Sequence, residues 1–227
     1  MNNQDNTRSL EEGIVTDLSG RMSYGSYLAL DELLSLQRPV SVPEHHDELL
    51  FIIQHQTSEL WMKLMLHELR SAREALRADD LGTMLKRVAR IKHILDTMTQ
   101  QWSVLATLTP TEYAEFRGFL ANSSGFQSHQ YRAIEFILGN KNAGVLPVFD
   151  TDPDGQRVLS DLLQEPTLYD EFLRYLDRQG YDIPTSVLQR DVTKAYTLSP
   201  DLIPVFKAIY ESATENWRVY EACEEFV

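Results

Sequence analysis

The chain has 227 residues, of which 43% are hydrophobic and 24% charged, with a formal charge of −13 at pH 7. This length supports one sizeable hydrophobic core, and the acidic balance excludes a surface built to bind nucleic acid or an anionic membrane, which requires clustered Lys and Arg. The single cysteine, Cys223, excludes an intrachain disulfide and a cysteine-built metal site, and no apolar run reaches the length of a membrane span, so we expect a cytoplasmic protein.

The N-terminal part is expected to hold a flexible arm over residues 1–12 and then a helix that begins after Gly20 and runs to Pro39. Ser23 is the predicted N-cap of this helix. Its first turns carry a compact apolar patch, made of Tyr24, Tyr27 and Leu28. Such a patch either packs onto the main domain or contacts another subunit, and both interpretations remain open.

A long central helix is predicted from about Pro43 to Ala78. Apolar residues from Leu49 to Leu69 fall on every side of a 3.6-residue period, which indicates burial nearly all round. The second half carries more charge, so we expect that half to leave the core and to present a solvated face. The adjacent histidines at the start of this helix, His45 and His46, are also expected to be solvated.

His55 is the one titratable group in the uncharged run from 49 to 58, and Phe51 precedes it by one helical turn on the same face. A neutral imidazole in a dry, aromatic-walled space suits an apolar ligand that carries a single NH or OH group. The alternative is a core histidine whose hydrogen bonds are satisfied within the protein, and it stays open.

A second long helix over 81–105 is predicted to pack antiparallel to the first across a short turn. Thr109, Pro110 and Glu112 then give an N-cap, a proline at the first helical position and a capping carboxylate. In the helix that follows, Tyr113 and Arg117 lie four residues apart. They form either a receptor for a carboxylate or a surface arginine stacked on a tyrosine.

The remaining sequence predicts further helices and no strand, so the expected fold class is all-α, a bundle of long antiparallel helices. A small-residue turn over 122–126 precedes a helix that ends at Gly139, and helices are predicted over 156–164 and 167–179. A last helix is predicted from about Phe206 to the chain end at Val227. No phosphate-binding glycine loop, nucleophile elbow or Glu-x-x-His motif is present, so no metal ligand is assigned, and any redox chemistry belongs to a bound organic cofactor.

Four segments closely resemble bacterial members of the tryptophan 2,3-dioxygenase family, and the resemblance extends from about Gly13 to the end of the chain. They are YGSYLALDELLSLQ at 24–37, FIIQHQTSELWMKL at 51–64, QWSVLATLTPTEYAEFRGFL at 101–120 and SSGFQSHQYRAIEFILGNKN at 123–142. The resemblance implies the helical haem-dioxygenase fold, one haem b per subunit, and a homotetramer that exchanges its N-terminal helix between subunits. It also implies insertion of both atoms of dioxygen across the C2–C3 bond of the indole of L-tryptophan. The product is N-formylkynurenine, in the first step of tryptophan catabolism by the kynurenine route.

Site residues follow from the same resemblance, position by position. His55 is the catalytic residue that takes the indole NH, in a pocket lined by Phe51, Ile52, Ile53, Gln54 and His55. Tyr113 and Arg117 bind the substrate carboxylate, while Tyr24, Tyr27 and Leu28 reach the pocket of a neighbouring subunit. Near the haem lie Trp102, Leu120, Ser124, Gly125 and Tyr131.

The sequence departs from the family at its C-terminal end. The family's iron-ligating histidine lies downstream of the segment that resembles residues 216–227, and no histidine follows His129 in this chain. We therefore expect a single helical domain over 13–227 that lacks its C-terminal part. Two alternatives to the dioxygenase activity remain, a haem-dependent oxygenase acting on another indole and an inert helical module that binds tryptophan.

Overall fold

The computed structural model describes residues 11–14, 17, 20–212 and 216–226. Within these residues the chain forms eleven α-helices, four short 3-10 helices and no strand, which confirms the predicted all-α fold class. Apart from residues 11 and 12, the arm predicted at 1–12 lies outside the described residues, and so does Val227.

The N-terminal segment contains two short helices, α1 (Tyr24–Leu28) and α2 (Leu30–Leu33), where one longer helix was predicted. Ser23 caps α1 as predicted and forms a capping box with Ser26. The helix breaks because Ala29 adopts a left-handed conformation, with φ 50°. Neither helix has a buried residue, so no packing opposes this break.

Two long helices form the frame of the molecule, α3 (His46–Arg77) and α4 (Leu81–Leu105), close to their predicted limits. Side-chain hydrogen bonds between them join Thr57 to Gln101 and Ser71 to Arg87. Because later residues of α3 pair with earlier residues of α4, the two helices run antiparallel, as predicted. The side chain of Asp80 caps the N-terminus of α4 at the turn.

Seven further α-helices complete the fold: α5 (Pro110–Arg117), α6 (His129–Leu138), α7 (Pro153–Gln164), α8 (Leu168–Arg178), α9 (Thr185–Leu188), α10 (Ile203–Glu211) and α11 (Trp217–Phe226). Helices α6 and α8 pack on α3, α7 packs on α6, and α11 packs on α4 and α10. The helix α7 begins three residues earlier than predicted because Asp152 caps it. The single last helix that was predicted is divided, because α10 ends in a turn at Ser212 and α11 restarts after Asn216, whose side chain accepts from the Val219 backbone N–H.

The core lies against the second half of α3. The sequence predicts the opposite, that this half leaves the core. Met65 and Leu69 are at most 1% exposed, whereas Ile53 and Leu60 in the first half are 44% and 49% exposed. The charges of the second half were expected in water, but Glu68 is buried. Its negative charge is compensated there because Arg87 and Arg90 of α4 form ion pairs with it.

Candidate active site

A cleft of about 600 Å³ opens between α3, the end of α4, α5 and the segment that leads into α6. Its volume lies within the roughly 300–1,000 Å³ that small-molecule sites occupy. The cleft is lined by Phe51, His55, Glu59, Trp102, Leu105, Tyr113, Arg117, Leu120, Ser123, Ser124, Gly125, Gln127 and Ser128.

The wall formed by α3 is a stripe of three side chains, Phe51, His55 and Glu59, each one turn after the last. The Nδ1 atom of His55 lies 2.7 Å from the carbonyl oxygen of Phe51. A carbonyl oxygen only accepts hydrogen bonds, so Nδ1 carries the proton of this bond. In the neutral ring Nε2 is then an acceptor, and it suits a ligand that presents an N–H group.

Aromatic side chains join α5 to the α3 wall. The Phe51 ring lies 4.1 Å from the His55 ring and 5.6 Å from the Tyr113 ring, measured between centroids. Phe116 is fully buried and meets both Phe51 and Tyr113 edge to face, at 5.6 Å and 5.4 Å. Its burial anchors α5 against α3 and leaves Phe51, His55 and Tyr113 around one apolar space.

The position of α5 follows from its N-terminal sequence. Thr109 and Glu112 form the predicted capping box, with Pro110 at the first helical position. One turn apart on this helix, Tyr113 and Arg117 both line the cleft. Nη1 of Arg117 donates to the carbonyl oxygen of Ala121 at 2.8 Å, which holds the side chain while its other N–H groups can serve a carboxylate.

The predicted substrate residues divide into two groups. Phe51, His55, Tyr113 and Arg117 share the cleft, whereas Ile52, Ile53 and Gln54 do not line it. Successive helical residues turn by about 100°, so residues between Phe51 and His55 face other directions. Gln54 is 6% exposed and Ile53 is 44% exposed, and the substrate contacts proposed for these three residues remain predictions.

The aromatic patch on α1 is outside the cleft and faces solvent. Tyr24 and Tyr27 are 75% and 73% exposed, and Leu28 is 40% exposed. Within the described chain nothing buries these rings, and their reach into a neighbouring subunit remains a prediction.

Five lining residues were not predicted from the sequence, namely Glu59, Leu105, Ser123, Gln127 and Ser128. Glu59 had a usable signal, because it repeats the four-residue spacing of Phe51 and His55. The side chain of Gln130 donates to the backbone oxygen of Glu59 at 3.0 Å and to its carboxylate at 2.7 Å. This contact joins the start of α6 to the α3 wall. No local sequence pattern predicts a pair of residues so far apart along the chain.

Trp102, Leu120 and the backbone at Gly125 are further parts of the lining, and together they offer surface for a flat apolar group. The Trp102 side chain is 58% exposed at the cleft, and Leu120 lies on the same lining. At Gly125, a Cβ atom would meet nothing within 4 Å, so open space lies beside this backbone, next to Ser124. Tyr131 lies outside the lining and is 48% exposed. Among the described residues no cluster of His, Cys, Asp and Glu side chains could hold a metal ion. The described lining therefore fits a cofactor through contact with its apolar face.

A larger cavity, of about 820 Å³, lies between the ends of α6 and α11 and the segment around 196–207. Its walls are apolar and aromatic, and its two charged residues are already paired. Lys207 lies 3.7 Å from Glu211, and Glu225 accepts from Lys92 at 2.9 Å. Its other polar groups are the hydroxyls of Tyr169, Tyr196 and Ser199, whereas the cleft on α3 brings together an imidazole, a carboxylate and a guanidinium and is the stronger candidate for chemistry.

No helix in the described part of the chain is long and apolar enough to cross a membrane. Residues 8–150 match the family model described as tryptophan 2,3-dioxygenase. A protein of that name from Arthrobacter sp. (strain FB24) is 67% identical over 227 residues, which is 100% of this chain and 80% of that protein. Another from Rhodococcus jostii (strain RHA1) is 66% identical over 224 residues, covering 99% of this chain and 79% of its own length.

A more distant relative of the same name, from Serratia proteamaculans (strain 568), is 56% identical over 222 residues, covering 98% of this chain and 79% of that protein. These identities extend over nearly the whole chain, and the family model includes the segments that carry Phe51, His55, Tyr113 and Arg117. The resemblance inferred from the sequence is confirmed, and the chain belongs to the tryptophan 2,3-dioxygenase family.

Proposed function

We propose that this chain is a dioxygenase that opens the indole ring of L-tryptophan. The C2–C3 bond of the indole breaks, each of the two carbons gains one oxygen atom from the same O2 molecule, and N-formylkynurenine forms. One observation carries the proposal: an N–H acceptor, the Nε2 atom of His55, and a carboxylate receptor on α5 share one aromatic-walled cleft. L-Tryptophan carries the complementary groups at its two ends.

The cleft residues have separable tasks in substrate binding. The ring of Phe51 supplies apolar surface to the indole, and His55 accepts its N–H group at Nε2. Arg117 and Tyr113 bind the carboxylate, since a guanidinium fork and a phenol are donors of matching geometry. Two polar contacts at opposite ends of the ligand fix the orientation of the indole, and orientation is a large part of catalysis between bound reactants.

Haem is the cofactor that we propose, and it would supply the activation of dioxygen. The residues proposed to hold it are Trp102, Leu120, Ser124 and Gly125, with Tyr131 at the periphery. The exposed indole of Trp102 and the open space beside Gly125 support this, because a porphyrin needs a broad apolar contact.

We further propose a homotetramer in which the α1 patch contacts a neighbouring subunit. Tyr24 and Tyr27 are each more than 70% exposed, and exposed aromatic patches are typical of interaction sites. Light scattering tests this assembly: Tyr24→Ser together with Tyr27→Ser is expected to reduce the mass from four subunits to a smaller species. The cytoplasmic location inferred from composition remains a prediction.

Turnover under labelled oxygen tests the activity. The purified chain is loaded with hemin, reduced and supplied with L-tryptophan under 18O2. The masses of the reaction products are then measured by mass spectrometry. We expect N-formylkynurenine with both added oxygen atoms labelled. Turnover of a modified indole but not of L-tryptophan would replace the substrate, and tight tryptophan binding without product would indicate an inert binding module.

A further inference from the structure

The connector before α3 is fixed by a buried carboxylate. Glu48 is 1% exposed, and its two carboxylate oxygens accept from the backbone N–H groups of Val40 at 2.7 Å and Ser41 at 3.0 Å. The hydroxyl of Ser41 donates to the same carboxylate. Burial raises the pKa of Glu48, but the hydrogen bonds from Ser41 and Val40 outweigh it and leave this pKa below its ordinary value. The carboxylate is thus held ionised as a fixed acceptor for the connector.

This anchored connector in turn fixes His45. The backbone N–H of His45 donates to Oγ of Ser41 at 2.9 Å, and the ring lies 6.3 Å from that of Phe119, measured between centroids. Nδ1 of His45 lies 3.2 Å from the Glu115 carboxylate on α5. His45 was expected to be solvated, but its side chain is only 25% exposed, while the neighbouring His46 is exposed as predicted.

Glu115 lies between the two residues of the carboxylate receptor, two positions after Tyr113 and two before Arg117. A contact to Glu115 therefore helps to hold α5 against the start of α3, in addition to the anchor that the buried Phe116 ring provides. The groups proposed for the indole, Phe51 and His55, lie on α3 itself. Movement of α5 would displace the receptor for the carboxylate and leave the indole contacts in place.

We propose that a latch of polar contacts positions α5 for recognition of the amino-acid carboxylate. The latch consists of Ser41, Glu48, His45 and Glu115. His45 and Glu115 are then positioning residues that favour indoles bearing a carboxylate over indoles without one. The inference rests on the proposed function, because it assumes that L-tryptophan occupies the cleft.

Calorimetric titration of the purified, hemin-loaded chain with L-tryptophan and with 3-methylindole, which has no carboxylate, tests the latch. The pair is partly exposed, so His45→Ala and Glu115→Ala are each expected to weaken L-tryptophan binding about two- to fivefold. Binding of 3-methylindole is expected to stay unchanged. The double variant should lose no more than either single variant, because both remove one contact.

Two further variants separate positioning from general damage. His46→Ala changes the adjacent exposed histidine and is expected to bind both ligands like the parent. His45→Gln keeps a side-chain N–H donor and is expected to recover part of the L-tryptophan affinity. Circular dichroism of each variant confirms that the helices are intact before titration.

The outcomes distinguish the two proposals. If the parent binds L-tryptophan and the latch variants bind it equally well, the latch is wrong and the proposed function stands. Equal weakening of both ligands also overturns it, because the role is then structural. If the parent does not bind L-tryptophan, the proposed function and the latch both fail.

Discussion

The two halves of α3 differ in what surrounds them, although they belong to one continuous helix. In the second half, Leu69, Ala72 and Leu76 are completely buried beneath neighbouring helices. In the first half, Phe51 and His55 line an open cleft, and Ile53 faces solvent with 44% of its side chain exposed. Buried contacts that stabilise the fold are concentrated at one end of α3, and the surface available for ligands lies at the other.

This division gives the cleft a rigid base. A helix anchored in the core projects Phe51, His55 and Glu59 from one side, so their spacing is set by helical geometry rather than by a loop. The opposite wall is held to α3 by the buried Phe116 ring against Phe51 and by polar contacts, such as Gln130 with Glu59 and His45 with Glu115. Substitutions in the second half should therefore change folding, and substitutions in the first half should change binding.

The largest expected effect is on folding, from Leu69→Ala in the second half. The side chain is completely buried, so its removal leaves a cavity and is expected to lower the free energy of unfolding by about 2–5 kcal/mol. Leu60→Ala is the matched control on the same helix, because Leu60 is 49% exposed, and it is expected to cost less than about 1 kcal/mol. Urea unfolding measures both, and equal losses would contradict the division.

A pH-dependent effect is expected at Lys141, which is 6% exposed and donates to the carbonyl oxygen of Leu163 at 3.0 Å. Burial lowers the pKa of Lys141 to about 8. Between that value and the ordinary lysine pKa of about 10.4, the unfolded chain binds more protons, so this group makes stability rise with pH.

The variant Lys141→Met lacks that contribution. Relative to this variant, the parent is expected to gain on the order of 3 kcal/mol of unfolding free energy between pH 7 and pH 10. Cys223 and the tyrosines titrate in both proteins, so their effect cancels in the difference. A difference that stays constant across the range would show that Lys141 is not desolvated.

In the cleft, Arg117→Ala is expected to weaken L-tryptophan binding by about 10- to 150-fold. This range corresponds to the free energy that a hydrogen bond to a charged group contributes. Hemin binding should change far less, because Arg117 is assigned to the substrate carboxylate. Arg117→Lys should recover only part of the affinity, since a lysine lacks the planar fork. Calorimetry for tryptophan and absorption titration for hemin measure the two affinities, and equal losses would refute the carboxylate role.

The smallest expected effect is that of His55→Ala on the affinity for tryptophan. Loss of one neutral hydrogen bond is expected to weaken binding and turnover about tenfold or less while hemin binding is retained. Binding of 1-methyltryptophan, which has no indole N–H, should not respond to the substitution. A full loss of hemin from His55→Ala would instead indicate that the imidazole contacts the cofactor.

Sequence reasoning succeeded where a local pattern determines the structure. The caps at Ser23 and Thr109 and the left-handed Gly139 that ends α6 were all predicted from short motifs. The four-residue spacings also identified the pairs on α3 and α5 that meet in the cleft. These features depend on neighbours along the chain, which a single sequence shows directly.

Features that depend on distant partners were missed. The charge on Glu68 suggested a solvated face, and only the packing of α4 with Arg87 and Arg90 makes its burial possible. The helix break falls at Ala29, and no glycine or proline at that position indicates it in the sequence. The partner of His45 lies 70 residues away, so the pattern of two adjacent histidines could not distinguish the paired one from the exposed one.

A crystal structure of the hemin-loaded protein with L-tryptophan tests the central claim most directly. We expect the indole against Phe51, with its nitrogen within hydrogen-bonding distance of Nε2 of His55, and the carboxylate on Arg117 and Tyr113. Tryptophan found instead in the larger apolar cavity beside α11, with the cleft on α3 empty, would contradict the assignment of the site.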